Sequence, residues 1–152
     1  MAVLVRSQLR RATIDHPRLR RLAQAILSSV GEPSSVLSVA LIGDRSMRRL
    51  NQQYRKKAQT TDVLAFSMRE GRGLSSAFMG DVIISVPTAM KQARRLGRSV
   101  DDELVTLLVH GILHLCGYDH ERSKRDARRM QRRERMVLRR LGRIPRLVNR
   151  TH

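Results

Sequence analysis

Between Leu104 and Tyr118 the chain runs fifteen residues without an Asp, Glu, Lys or Arg. Ser99 is placed to cap a helix ahead of this run. Asp101, Asp102 and Glu103 then fall in its first turn, where negative charge suits the helix dipole. From Leu104 to Cys116 such a helix is apolar on nearly all sides, and a helix of that kind belongs in the middle of a domain. The run is too short for a membrane span, so no membrane partner is expected. Gly117 breaks it.

The remaining chain must wrap this helix. Residues 2–6 read as a short strand, and Val36 to Ile42 as a buried one, β-branched and apolar between turn residues. Thr61 to Ser67 and Val82 to Val86 add two more strands. Pro17 starts a helix running to about Val30, with Leu19, Leu22, Ala23, Ile26 and Leu27 as its apolar stripe. Asp44 caps a short helix through Tyr54. Pro87 begins another, which Gly97 ends. Ser123 and Asp126 resemble a capping box for a last helix to about Leu141. Residues 68–80 read as a loop. The expectation is one α/β (α+β) domain over residues 1–142, a small mixed sheet packed with helices, and a loose basic tail over 143–152.

Three of the five histidines lie within eleven residues of the central run. His110 and His114 are four apart on a helix and project from one face. His120 lies beyond Gly117, which can turn the chain back. The pattern H-x-x-x-H-x-x-G-x-x-H has the spacing of the metzincin zinc site, with Gly111 where those peptidases carry their glutamate base. Three neutral nitrogens leave a fourth tetrahedral position open, as in catalytic zinc sites, and such an ion brings the pKa of bound water to about 7. A lone histidine on an apolar helix is usually a satisfied core residue. Three at this spacing, two on a helix too buried to leave imidazoles unpaired, favour one metal ion per chain on His110, His114 and His120. Imidazole also suits Ni, Cu and Fe. Cys116 reads as core filler. Asp119 reads as a support for a ligand histidine, with a turn residue or a proton acceptor as the alternatives.

The charge balance points to the partner. There are 31 Lys+Arg against 13 Asp+Glu, a formal net charge of +18. Such an excess self-repels without an anionic partner, of which nucleic acid leads over an anionic membrane surface. Residues 121–150 hold 13 cations and 3 acids. A second cluster includes Arg48, Arg49, Arg55, Lys56 and Lys57, and Arg48, Arg49, Lys56 and Lys57 are taken as RNA-backbone contacts. Few aromatics argue against base stacking, so recognition by shape and backbone is expected. A single cysteine rules out an intramolecular disulfide. The first residues lack the apolar run of a signal peptide, and the cytoplasm is the expected location. An organelle is the alternative, because the chain begins Arg-rich with no acid before Asp15.

These residues carry a family resemblance. The block His110-Gly111, Leu113-His114-Leu115, Gly117-Tyr118-Asp119-His120 resembles the signature of the YbeY family of bacterial rRNA maturation factors. Two further blocks agree in order and spacing: Leu50-Asn51, Tyr54-Arg55, Thr61-Asp62-Val63-Leu64 and Phe66, then Gly80-Asp81-Val82-Ile83-Ile84. The resemblance implies a metal-dependent endoribonuclease that matures the 3′ end of small-subunit rRNA and serves ribosome quality control. It implies zinc on the three histidines, a catalytic arginine at Arg55, and a mixed-sheet fold with a metal cleft. Its partners would be ribosomal RNA, the small subunit or its precursors, ribosomal proteins and ribosome-assembly GTPases. The family usually has an acid where Ala58 stands, Pro where Thr60 stands and Ser where Ala65 stands. The alternative is a non-catalytic rRNA-binding assembly factor with a structural metal. A zinc peptidase is disfavoured by Gly111 and by the charge.

Overall fold

The computed structural model of the chain describes residues 3–55, 62–69 and 77–150, the side chain of Arg55 apart. Its frame is a four-stranded mixed sheet. Val36–Ile42 (β3) is apolar on both faces and six of its seven residues are buried, as suits an interior parallel strand. Val3–Gln8 (β1) pairs with it in parallel at one edge, with alternating burial. Ala12–Ile14 (β2) and the helix His16–Ser29 (α1) come between them in the chain. Asp44–Arg55 (α2) follows β3, then Val63–Ser67 (β4) and Phe78–Ser85 (β5). The sheet order is β1-β3-β5-β4, with β5 parallel to β3 and β4 antiparallel to β5. Three helices complete the chain: Val86–Leu96 (α3), Val100–Leu115 (α4) and Lys124–Leu141 (α5), with Val148–Arg150 (β6) after them.

Strand alternation sorts the core into two faces. On one, Ala40, Ile42, Leu64 and Met47 of α2 form a small cluster. On the other, Leu37, Val39, Leu41, Val82 and Ile84 meet α1 and α4 in the main core. The central helix predicted from the charge-free run is α4. It packs against α1, α3, α5, β4 and β5, and Leu104, Leu108, Ile112 and Leu113 are fully buried. Ser99 caps it by accepting from the Asp102 amide. Ser123 caps α5 in the same way through Asp126.

Two expectations need correction. Phe78–Gly80 belongs to β5, not to a loop. Gly80 reads as a loop residue, but it has a φ of 149°, and a Cβ there would overlap the Phe66 carbonyl. Both explain a glycine inside a strand. Residues 143–150 are also not a loose tail. β6 pairs antiparallel with β2, Leu147 is fully buried, and the Leu147 and Val148 amides donate to Asp101 at 2.8 and 3.0 Å.

Candidate metal centre

Three local devices place the histidines. The helical repeat of α4 sets His110 and His114 one turn apart. At its end, the Tyr118 amide donates to the Leu113 carbonyl while Gly117 takes φ 100°, a left-handed conformation that favours glycine. The chain then doubles back through a turn in which Asp119 accepts from the Glu121 amide at 2.9 Å. That turn brings His120 to the wall on which His110 and His114 lie. All three imidazoles line one cavity of about 530 Å³ between α4 and β4.

The rings of His110 and His120 have centres 5.0 Å apart. Two imidazoles bound to one tetrahedral ion at about 2 Å have ring centres about 5 Å apart, so the spacing of this pair meets one requirement of a shared ion. His114 shares the cavity but does not complete the set. Among the described residues no three His, Cys, Asp or Glu side chains come together to hold an ion as arranged. His114 is also exposed, contrary to the expectation that both helix imidazoles are buried. The histidine face is where α4 opens to the cleft, and its other faces carry the core.

Glu134 is the residue sequence reasoning missed. It reaches from α5 to His110 Nδ1 at 2.5 Å, which leaves Nε2 of that ring for the cavity. The hydrogen bond with Glu134 raises the His110 pKa above the usual histidine value against the opposing effect of burial. The hint lay in composition: Glu134 is the one acid of α5 beyond its first turn, set among arginines, a poor choice for a merely solvated basic face. Asp62 was missed as well. It lines the cavity, its Oδ1 accepts from the Val63 amide at 2.8 Å, and its Oδ2 accepts from Gln92 at 3.2 Å.

Asp119 is a turn residue that supports the position of His120 through the backbone, and it does not line the histidine cavity. Cys116 packs against the core, and burial pushes its thiol up to about 11. Arg48 and Arg49 are exposed on α2 and do not line the cavity. Arg55 ends α2, with its side chain outside the described residues. Lys56, Lys57, Ala58 and Thr60 lie outside them too. Among the described residues no helix is long and apolar enough to cross a membrane.

A mixed sheet with a buried helix that presents histidines to a cleft defines a small α/β protein with a histidine-lined site. The chain belongs to the Endoribonuclease YbeY family, whose pattern matches residues 5–142. It is 47% identical over 140 residues to an Endoribonuclease YbeY of Geobacter metallireducens, covering 90% of this chain and 93% of the relative. It is 41% identical over 140 residues to one of Aquifex aeolicus, covering 92% and 91%. The resemblance carried by the three sequence blocks is therefore borne out. A solution structure of a Thermotoga maritima protein shares the fold, with a TM-score of 0.61 at 23% identity, covering 89% of this chain and 85% of that one.

Proposed function

We propose that this chain is a zinc-dependent endoribonuclease that acts on ribosomal RNA in small-subunit maturation. Its relatives carry the name endoribonuclease. The observation that supports the metal site best is the His110–His120 pair at 5.0 Å on a cavity that His114 also lines. His110, His120 and His114 would hold the ion, the last after a side-chain rotation that its exposure leaves free. When bound, zinc supplies Lewis acidity toward a phosphoryl oxygen and lowers the pKa of bound water.

The chain's own residues would do the rest. Glu134 holds the His110 ring with Nδ1 engaged, so that Nε2 faces the cavity. Asp62 and Glu121 are acids that line the same cavity. Each Asp62 oxygen accepts one hydrogen bond and keeps acceptor capacity for a proton from water. The wall of β4, Val63 to Phe66, closes the side opposite α4. Arg55, at the end of α2, would meet phosphate charge. The high net positive charge favours an RNA partner.

Elemental analysis of the purified chain tests the metal part. The expected result is one zinc per chain, lost in His114→Ala without loss of fold. Unfolding on chelation would instead favour a structural metal in an assembly factor.

A further inference from the structure

A second cavity, of about 750 Å³, shares no lining residue with the histidine cavity. It lies beyond the carboxyl ends of the parallel strands β1, β3 and β5, where ligands of α/β sheets commonly bind. Leu9 and Ala12 after β1, and Val86, Pro87 and Met90 of α3, give it apolar surface. Arg10, Arg11, Arg45 and Arg150 line it as well. All four are exposed, and none of their side chains has an ion pair or hydrogen bond among the described residues.

The cavity has one acid, Asp44, and it is already engaged. Its Oδ1 accepts from Ser85 at 2.6 Å and from Thr88 at 2.8 Å, and Lys91 stands 3.9 Å from Oδ2. Burial works against ionisation of Asp44, but the two hydroxyls together with the charges of Lys91 and Arg48 outweigh it and hold its pKa below the usual aspartate value. The carboxylate is thus ionised at neutral pH and directed into the protein. Four guanidinium groups remain uncompensated around an apolar recess. That combination suits a ligand with an apolar or stacking body between two anionic groups.

Ser85 ties a residue of this recess to a residue of the histidine cavity. The Ser85 amide donates to the Asp62 carbonyl at 2.9 Å, while the Ser85 hydroxyl donates to Asp44. Asp62 lines one cavity and Asp44 the other. Because β4 runs antiparallel to β5, with Val63 opposite Ile84, the Asp62 end of the histidine cavity lies at the same end of the sheet as the recess, and the cavity runs from there along β4 to Phe66, opposite Asp81.

We propose that this second cavity binds unpaired nucleotides of the RNA substrate outside the cleavage site, with flanking phosphates on Arg10, Arg11, Arg45 and Arg150. The proposal rests on the nuclease reading for its substrate class. It makes the four arginines a substrate-length sensor. A long RNA engages both cavities, whereas an RNA of a few nucleotides engages the histidine cavity alone. Guanidinium planes can stack on bases, which offsets the lack of aromatic side chains here.

The test is fluorescence anisotropy with labelled single-stranded RNAs, one long enough to span both cavities and one of a few nucleotides, across a range of salt. Arg11→Gln with Arg45→Gln should weaken binding of the long RNA about tenfold and leave the short one unchanged. The slope of log affinity against log salt should fall by about 0.7 for each phosphate no longer neutralised. In cleavage assays KM for the long RNA rises and kcat is unchanged. If that double variant does not fold, Arg10→Gln with Arg150→Gln serves in its place. Binding through these arginines with no cleavage by the wild-type chain would sink the nuclease reading and leave the site standing. Cleavage by the wild type, with affinity, salt slope and KM unaltered in the variants, would overturn the site and spare the nuclease reading.

Discussion

Gly111 of α4 lies against Val82 of β5 so closely that a Cβ on the glycine would come within 2.7 Å of Val82 Cγ1. The same Cβ would stand 3.1 Å from Val82 Cγ2 and 3.4 Å from Val63 Cγ2. This closeness explains why the position that holds a glutamate base in metzincins holds no side chain here. The helix that presents the histidines is set directly on the sheet. Val82 is fully buried and stiff at χ1, so it cannot swing aside.

Gly111→Ala should therefore destabilise the protein. Alanine improves helix propensity by about 1 kcal/mol, but overpacking against a rigid neighbour costs about 1–3 kcal/mol. Denaturant unfolding would measure the balance, and Val82→Ala in the same chain should recover part of the loss. A Gly111→Ala variant as stable as the wild type would show that α4 can lift from β5 freely.

Glu134→Gln should weaken zinc binding about 10–100-fold with the fold intact, as loss of a carboxylate behind a ligating histidine does elsewhere. Competition with a chromophoric chelator would read the affinity, and circular dichroism the fold. Unchanged zinc affinity would reduce the Glu134–His110 pair to a helix–helix tie.

The segment after β4 is tied to the loop after α1 by a bidentate pair. Arg69 donates to Glu32 Oε1 at 2.9 Å and Oε2 at 3.1 Å, and Ser35 donates to Glu32 as well. These hydrogen bonds, Arg69 first, hold the Glu32 carboxyl below the usual glutamate pKa. A depressed folded pKa means that the unfolded chain takes up the proton first as pH falls. The pair's contribution is present above the ordinary glutamate range and is lost as pH drops through the lowered value. Glu32→Gln should cost about 1 kcal/mol at pH 7, since both groups are partly screened by solvent. The gap should close in strongly acidic buffer. A gap that persists where the carboxyl is protonated in both the folded and the unfolded chain would mean that packing, not charge, holds this tie.

The parts of the fold that were legible in the sequence rest on local signals. Ser99, the three acids after it, the charge-free run and Gly117 all lie within twenty residues, and together they delimit α4. Tertiary pairing hid the rest. Val148–Arg150 has no strand pattern of its own and becomes a strand because β2 and Asp101 receive it. Glu134 is 24 residues from His110 and meets it only because α4 and α5 pack together. The histidine spacing indicated a common face, and the three imidazoles do line one cavity. The spacing did not show that His114 faces solvent, because periodicity locates a face without saying what covers it.

The three histidines are proposed to form a metal centre that cuts RNA. The most direct measurement is cleavage of a ribosomal RNA fragment carrying the small-subunit 3′ end by zinc-loaded wild-type protein, alongside His114→Ala purified in parallel. The wild type should make defined cuts and the variant none, with RNA affinity that differs little between them. Equal cutting by the two preparations would contradict the claim.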